Sequence, residues 1–395
     1  MTTRDVHSID ALLRRAAQRG DVPGVVAIAV DKTTRLYEGA FGLRNLTRRA
    51  PMTLDTVFWY ASMTKALVAT AAMQLVEQGR VALDEPIGSV LPSLASPEVL
   101  DGFDANGTPM VRPAKRPITL RHLLTHTSGY GYDIWNKAVE RYMRENHIPL
   151  LVDCKLSSLA QPLVADPGEK WEYGISIDWA GQVVEAVSGL SLEDYLREHL
   201  FAPLGMHDTA FLIKPAWRER LADVHRRQAD GSLVPIEHEI SQQPEFFMGG
   251  GGIYGTAGDY ASYIQMLLND GRAKDGTVVL KPDTVELMGQ NSIGDIKAGV
   301  LTSVLKDLAN DTDFFPGMPQ KWGLSFLLNT SDSPNGRSAG SMTWAGLANT
   351  YFWVDRYRSI GGVIMTQILP FGDPITLKLY EGFERGLYFG PSKPS

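Results

Sequence analysis

At 395 residues the chain can bury a large core, and 44% hydrophobic with 21% charged residues is an ordinary globular balance, which excludes disorder as the default. A net charge of −7 argues against a polyanion as partner, so neither nucleic acid nor an anionic membrane surface is expected to bind. The single cysteine, Cys154, excludes an internal disulfide and any multi-cysteine metal site.

In chain order, Ser8 or Asp5 can cap a first amphipathic helix that runs to about residue 19, with Ile9, Leu12, Leu13 and Ala16 at helical spacing and Gly20 as its stop. The first seven residues lack the apolar core of a signal peptide, and no later run is long enough to span a bilayer. A cytoplasmic location without membrane contact is therefore expected. Residues 25–30 form a near-continuous apolar strand, and the polar turn 31–34 joins it to an antiparallel partner over 36–42. Residues 57–60 then lead into the stretch on which the functional reading rests.

That stretch is Ala61-Ser62-Met63-Thr64-Lys65-Ala66, which opens an apolar run to Val76. Apolar residues occupy nearly every position, so the run predicts a buried helix, with Gly79 as its stop. Ser62 falls at the helix start and Lys65 one turn later on the same face. Between Thr56 and Val76, Lys65 is the only charged side chain. Burying a lone ammonium costs several kcal/mol, so the amine is expected to shed its proton and become a general base for the Ser62 hydroxyl. Free backbone N–H groups at the helix start favour negative charge developing near Ser62. Taken alone the tetrapeptide is weak evidence, because serine often caps helices and lysine often snorkels from their ends.

From Val81 the chain turns loop-rich through Pro86, Pro92, Pro97 and the polar segment 102–115, and a domain boundary is expected near residue 85. A short capped helix within 118–130 and helices at about 135–146, 177–188 and 192–200 predict a mainly helical middle third without strands of consequence. The glycine run 249–252 reads as flexible. A helix over 259–270, strands from Trp322 onward, strand composition over 345–354 and 359–368, and a last helix opened by Pro374 complete the chain; only the tail 391–395 looks disordered. The prediction is an α+β fold: an antiparallel sheet flanked by the N- and C-terminal helices, built from 1–85 and 246–395. A mainly helical domain, 86–245, is inserted, with the active site at the interface.

Three other sites compete for the chemistry. Gly336-Arg337-Ser338-Ala339-Gly340 has the spacing of a nucleophile elbow, yet the polar run 330–335 precedes it and all eight histidines lie at or before His238. It reads as a glycine turn. His122 and His126 stand at i and i+4 but lack an acidic neighbour in the zinc pattern, so both read as supports for a turn. Cys154 reads as a structural residue. A serine and lysine pair wants a third group to relay protons, and Tyr173, on a tight loop before a helix, is the candidate. A cationic lysine beside that phenol is expected to lower its pKa.

Several segments together, in order along most of the chain, resemble the serine β-lactamase and penicillin-binding-protein-like superfamily. They are Ser62-Met63-Thr64-Lys65, the run 120–129, Pro167-Gly168, Tyr173-Gly174-Ile175, the run 201–206 and Gly251-Gly252-Ile253-Tyr254-Gly255-Thr256. Within it the chain is most similar to family VIII carboxylesterases and to related acyltransferases. The resemblance implies Ser62 as acylated nucleophile, Lys65 as its base and Tyr173 as proton exchanger. It implies an oxyanion hole from the backbone N–H groups of Ser62 and Leu347, substrate binding by Trp344, Ala345, Gly346, Tyr130 and Ile175, and no metal or cofactor. Trp344 stands where the family pattern has a lysine, and Ile175 where it has an asparagine, so polar recognition is lost and apolar surface gained. The expected substrate is a small neutral carboxylic ester, with acyl transfer as a side activity. A β-lactamase or peptidase and a noncatalytic binding module are the competing readings.

Overall fold

A computed structural model describes residues 6–389. Asp5 and the tail 391–395 lie outside the described residues, and Ser8 falls inside the first helix, α1 (Val6–Arg19). The hairpin follows as β1 (Gly24–Val30) and β2 (Arg35–Asn45), with a short β3 (Ala50–Pro51) beside it. Helix α2 (Thr64–Glu77) is buried from Thr64 to Leu75, as an apolar run without a polar face requires. Later in the chain come α3 (Ser176–Ser188) and α4 (Ala257–Leu268). The C-terminal part supplies β4 (Gln320–Trp322), β5 (Leu327–Asn329), β6 (Met342–Gly346), β7 (Thr350–Asp355), β8 (Ile360–Met365) and α5 (Pro374–Phe389).

These strands make one eight-stranded sheet in the order β4-β5-β6-β7-β8-β1-β2-β3, with antiparallel neighbours. The two chain ends meet where β1 pairs with β8, Ile28 opposite Val363. Alternation along β7 explains the layers. Tyr351 and Trp353 point to one face, against Tyr380 and Phe383 of α5, and Phe352 points to the other, against Tyr260 of α4. Helices therefore cover both faces, and all six residues of β7 are buried.

Two expectations change. The stretch 86–245 holds the helices Lys137–Glu145, α3 and Leu192–Leu196, but also a hairpin of Glu98–Phe103 with Pro109–Pro113 and another of Val224–Arg227 with Leu233–Ile236. The first reads as loop because Pro109–Pro113 is solvated and shows no apolar alternation. Strand composition over 345–354 proves to be two strands, parted by a turn at Leu347, Ala348 and Asn349, where Asn349 adopts φ +59°. Among the described residues no helix is long and apolar enough to cross a membrane.

Candidate active site

Ser62 is presented by a sharp change of direction. The strand Val57–Trp59 pairs with Tyr254–Thr256, and the Tyr60 N–H donates to the Ile253 carbonyl across 2.9 Å. The chain then turns at Ala61, held at φ +49°, into a 3-10 turn Ala61–Met63 that feeds α2. A left-handed alanine costs of order 1 kcal/mol and persists only where its surroundings hold it. Tyr260 and Tyr263 of α4 supply that hold: their hydroxyls donate to the Met63 and Ala66 carbonyls, each across 3.0 Å.

Lys65 is fully buried, its Nζ 3.0 Å from Ser62 Oγ, 2.6 Å from the Gly250 carbonyl and 3.1 Å from Tyr132 Oη. Burial pushes the Lys65 amine down to about 7, against the opposing pull of the Asp178 carboxylate. Burial raises Asp178 in turn, although Lys65 and the Gly250 N–H favour its ionised form. The glycine run 249–252, expected to be flexible, is buried and packs its backbone against the lysine.

Tyr173 reaches the same spot from the loop before α3. Its ring lies 4.8 Å from Lys65 Nζ, and its hydroxyl accepts from Trp344 Nε1 across 3.0 Å. Contrary to the expectation of a lowered pKa, burial holds the phenol above its usual range, and hydrogen bonds with Ser62 and Trp344 offset this only in part. Desolvation outweighs those hydrogen bonds, so Tyr173 is a neutral proton donor at ordinary pH.

Strand β6 brings Trp344, Ala345 and Gly346 against the Ser62 turn. Its pairing with β5 stops at Thr343, which leaves Trp344 to Gly346 free along that edge. A Cβ on Gly346 would collide with the Tyr60 carbonyl oxygen and with Thr350 Oγ1, so only glycine lets this strand approach so closely. Ser62, Tyr173, Trp344, Ala345, Gly346 and Leu347 line one cavity of about 240 Å³. Its outer wall is apolar, formed by Ile134, Trp135, Leu150, Leu151, Val152, Leu301, Leu308 and Phe371, with Asp133 and His238 as polar members.

Two expected substrate contacts do not reach this cavity. Tyr130 stacks on Trp179 at 6.0 Å and borders a separate surface cleft, and Ile175 is buried at the N-terminal boundary of α3. Two residues on from Tyr130 and past Gly131, Tyr132 is the side chain that turns toward Lys65. Sequence reasoning missed Tyr132, Asp178 and Gly250. The available signals were a second tyrosine near Tyr130 and an acidic residue, Asp178, as the only charged side chain on the buried face of its helix.

The competing sites are structural. Ser338 lies in a turn, its N–H donating to Asp355 across 2.9 Å, and the adjacent Arg337 is buried against Glu384. His122 accepts from the Thr119 N–H in a capping box, and His126 is buried with its ring 4.8 Å from that of Tyr173. Cys154 is buried, and burial pushes its thiol up to about 12, which leaves it inert.

Comparison with known proteins gives a consistent picture. The Beta-lactamase family model matches residues 9–381. The chain is 34% identical over 397 residues to monacolin J acid methylbutanoyltransferase of Aspergillus terreus, covering 96% of this chain and 95% of that one. It is 32% identical over 399 residues to lovastatin esterase of Penicillium rubens, covering 96% and 98%. A solved mutant of simvastatin synthase from Aspergillus terreus superposes with a TM-score of 0.85 at 32% identity, covering 98% of each chain.

Proposed function

The chain belongs to the Beta-lactamase family of enzymes, and from that premise we propose that it is a serine esterase for apolar, uncharged carboxylic esters, with acyl transfer to a second alcohol as a side activity. The observation that carries this reading is the setting of the Lys65 amine. It is buried, pushed down to about 7, and 3.0 Å from Ser62 Oγ.

In this mechanism Ser62 Oγ attacks the ester carbonyl as its proton passes to Lys65 Nζ. The backbone N–H groups of Ser62 and Leu347 receive the oxyanion, where one such donor is worth about 3 kcal/mol. As the C–O bond breaks, the neutral Tyr173 phenol gives its proton to the leaving alkoxide and is resupplied from the Lys65 ammonium. Water, or a second alcohol, then attacks the acyl group on Ser62, returning its proton to the serine along the same path.

The cavity wall supports the substrate class. Among the described residues lining it there is no lysine or arginine, and Asp133 is its only carboxylate. A substrate carboxylate would find no cation there, whereas an apolar acyl or alkyl group would meet leucine, valine and aromatic surface. The names of the relatives, an acyltransferase and an esterase, are consistent with an acyl-enzyme that partitions between water and alcohol.

The test is turnover of p-nitrophenyl butyrate and of a chromogenic cephalosporin, with intact mass to detect an acyl adduct. Ester turnover abolished by Ser62→Ala, with the adduct on Ser62, is the expected result. Dominant cephalosporin turnover would replace the reading with a β-lactamase, and neither turnover nor adduct would replace it with a binding module.

A further inference from the structure

Asp178 does not border the substrate cavity, yet it is fully buried on the first turn of α3 and belongs to a closed ring of hydrogen bonds around the Lys65 amine. Lys65 Nζ donates to Tyr132 Oη across 3.1 Å, and Tyr132 Oη donates to Asp178 Oδ2 across a longer 3.4 Å. The Gly250 N–H donates to Asp178 Oδ1 across 2.8 Å, and the Gly250 carbonyl accepts from Lys65 Nζ across 2.6 Å, which closes the ring. Glycine is needed there: a Cβ would stand 2.5 Å from Asp178 Oδ2 and 2.7 Å from Tyr132 Oη.

The ring decides where the lone pair points. A neutral primary amine has two N–H groups and one lone pair. The Gly250 carbonyl and Tyr132 Oη take the two N–H groups, so the lone pair is left for Ser62 Oγ. Tyr132 can accept from the amine only while its own proton points elsewhere, and Asp178 Oδ2 draws it away.

We infer that Asp178 is a positioning residue for Lys65, acting through Tyr132 and the backbone of Gly250 to aim the amine at Ser62. The inference rests on Lys65 being the base in the proposed function. Lys65 faces the carboxylate from α2, Tyr132 from the loop before Lys137–Glu145 and Tyr173 from the loop before α3; Asp133 beside Tyr132, Cys154 and His126 complete the titratable surroundings of this cluster. The carboxylate favours the protonated amine, so neutralising it favours the free base.

The experiment is the pH profile of kcat/KM for p-nitrophenyl butyrate in the full chain and in Asp178→Asn, with the Ser62 adduct of the parent followed by intact mass. In the variant the acid limb is expected to move down by about one pH unit. Its plateau is expected to fall about tenfold or more, because the asparagine NH₂ turns the Tyr132 proton back toward the amine. A limb that stays or moves up overturns the inference, whether or not the plateau falls. Should Asp178→Asn fail to melt cooperatively, Tyr132→Phe carries the test: it opens the ring with both charges in place, and it too is expected to lower the plateau and shift the limb down. An unchanged profile in that variant overturns the inference. A parent without an adduct on Ser62 overturns the base reading itself, whereas a labelled parent with an unaltered Asp178→Asn profile overturns only the role of Asp178.

Discussion

The indole N–H of Trp344 donates to the hydroxyl of Tyr173 across 3.0 Å, tying strand β6 to the loop before α3. At this position the family pattern has a lysine, which contributes charge. Here the side chain contributes an apolar wall and one hydrogen bond, and the bond orients the phenol beside Ser62. Trp344→Phe keeps most of the wall and deletes the donor. A single bond of this kind is worth about 0.5–1.5 kcal/mol, so kcat for p-nitrophenyl butyrate should fall about two- to tenfold with KM little changed. Unchanged kcat in a variant of parental thermal stability would show that the phenol needs no such support.

Lys65→Ala and Ser338→Ala form a matched pair. The first removes the group 3.0 Å from Ser62 Oγ, and a general base of this kind is worth about 10²- to 10⁴-fold in rate. The second removes a hydroxyl from a turn anchored by its backbone N–H to Asp355, so ester turnover should stay near the parent. Steady-state rates of the two variants check both, and the reverse ranking would move the chemistry to the 336–340 turn.

What the sequence made legible follows from how local each signal is. The run after Ser62 is apolar at almost every position, so burial of α2 and the isolation of Lys65 could be read before any fold was known. Tyr173 could be named as the proton relay from its tight loop before a helix, a role the family resemblance also implies, but its contact joins residues over a hundred positions apart and no local signal carries it. The direction of its pKa shift was misread for the same reason. Proximity to a lysine can be guessed from a motif, but the depth of burial that opposes it depends on Trp171, Trp344 and His126 packing around the ring from three segments. Tyr130 and Tyr132 differ by two residues around Gly131, and only the path of that loop decides which one meets the amine. Gly249 to Gly252 reads as flexible because glycine is permissive, whereas at Gly250 the missing Cβ leaves room for Asp178 Oδ2 and Tyr132 Oη.

The pH dependence follows from the two opposite shifts. Burial lowers Lys65 to about 7, so below that pH the amine carries a proton and has no lone pair for Ser62. Burial raises Tyr173, so the phenol keeps its proton through the mildly alkaline range and can still serve the leaving group. The kcat/KM profile should therefore fall as pH drops below about 7, approaching tenfold per unit, and stay level up to about pH 9. A profile flat down to about pH 5.5 would mean that Lys65 is not the titrating base.

Gly346→Ala tests whether the approach of β6 to the Ser62 turn matters for chemistry. The added methyl would collide with the Tyr60 carbonyl oxygen and Thr350 Oγ1 and stand 3.2 Å from Ala61 Cβ. The Tyr60 carbonyl is backbone and cannot yield as a flexible side chain would, so the strand must move outward, carrying Leu347 with it. The Leu347 N–H proposed for the oxyanion would then be displaced, and loss of one such donor costs about 10²- to 10³-fold in kcat. Overpacking of this kind also destabilises, by about 1–3 kcal/mol, which leaves a cooperative fold measurable by thermal melting. The expected outcome is a folded variant whose kcat falls far more than its stability. A folded variant with parental kcat would show that the oxyanion site does not depend on this contact, and would direct the search for its second donor away from Leu347.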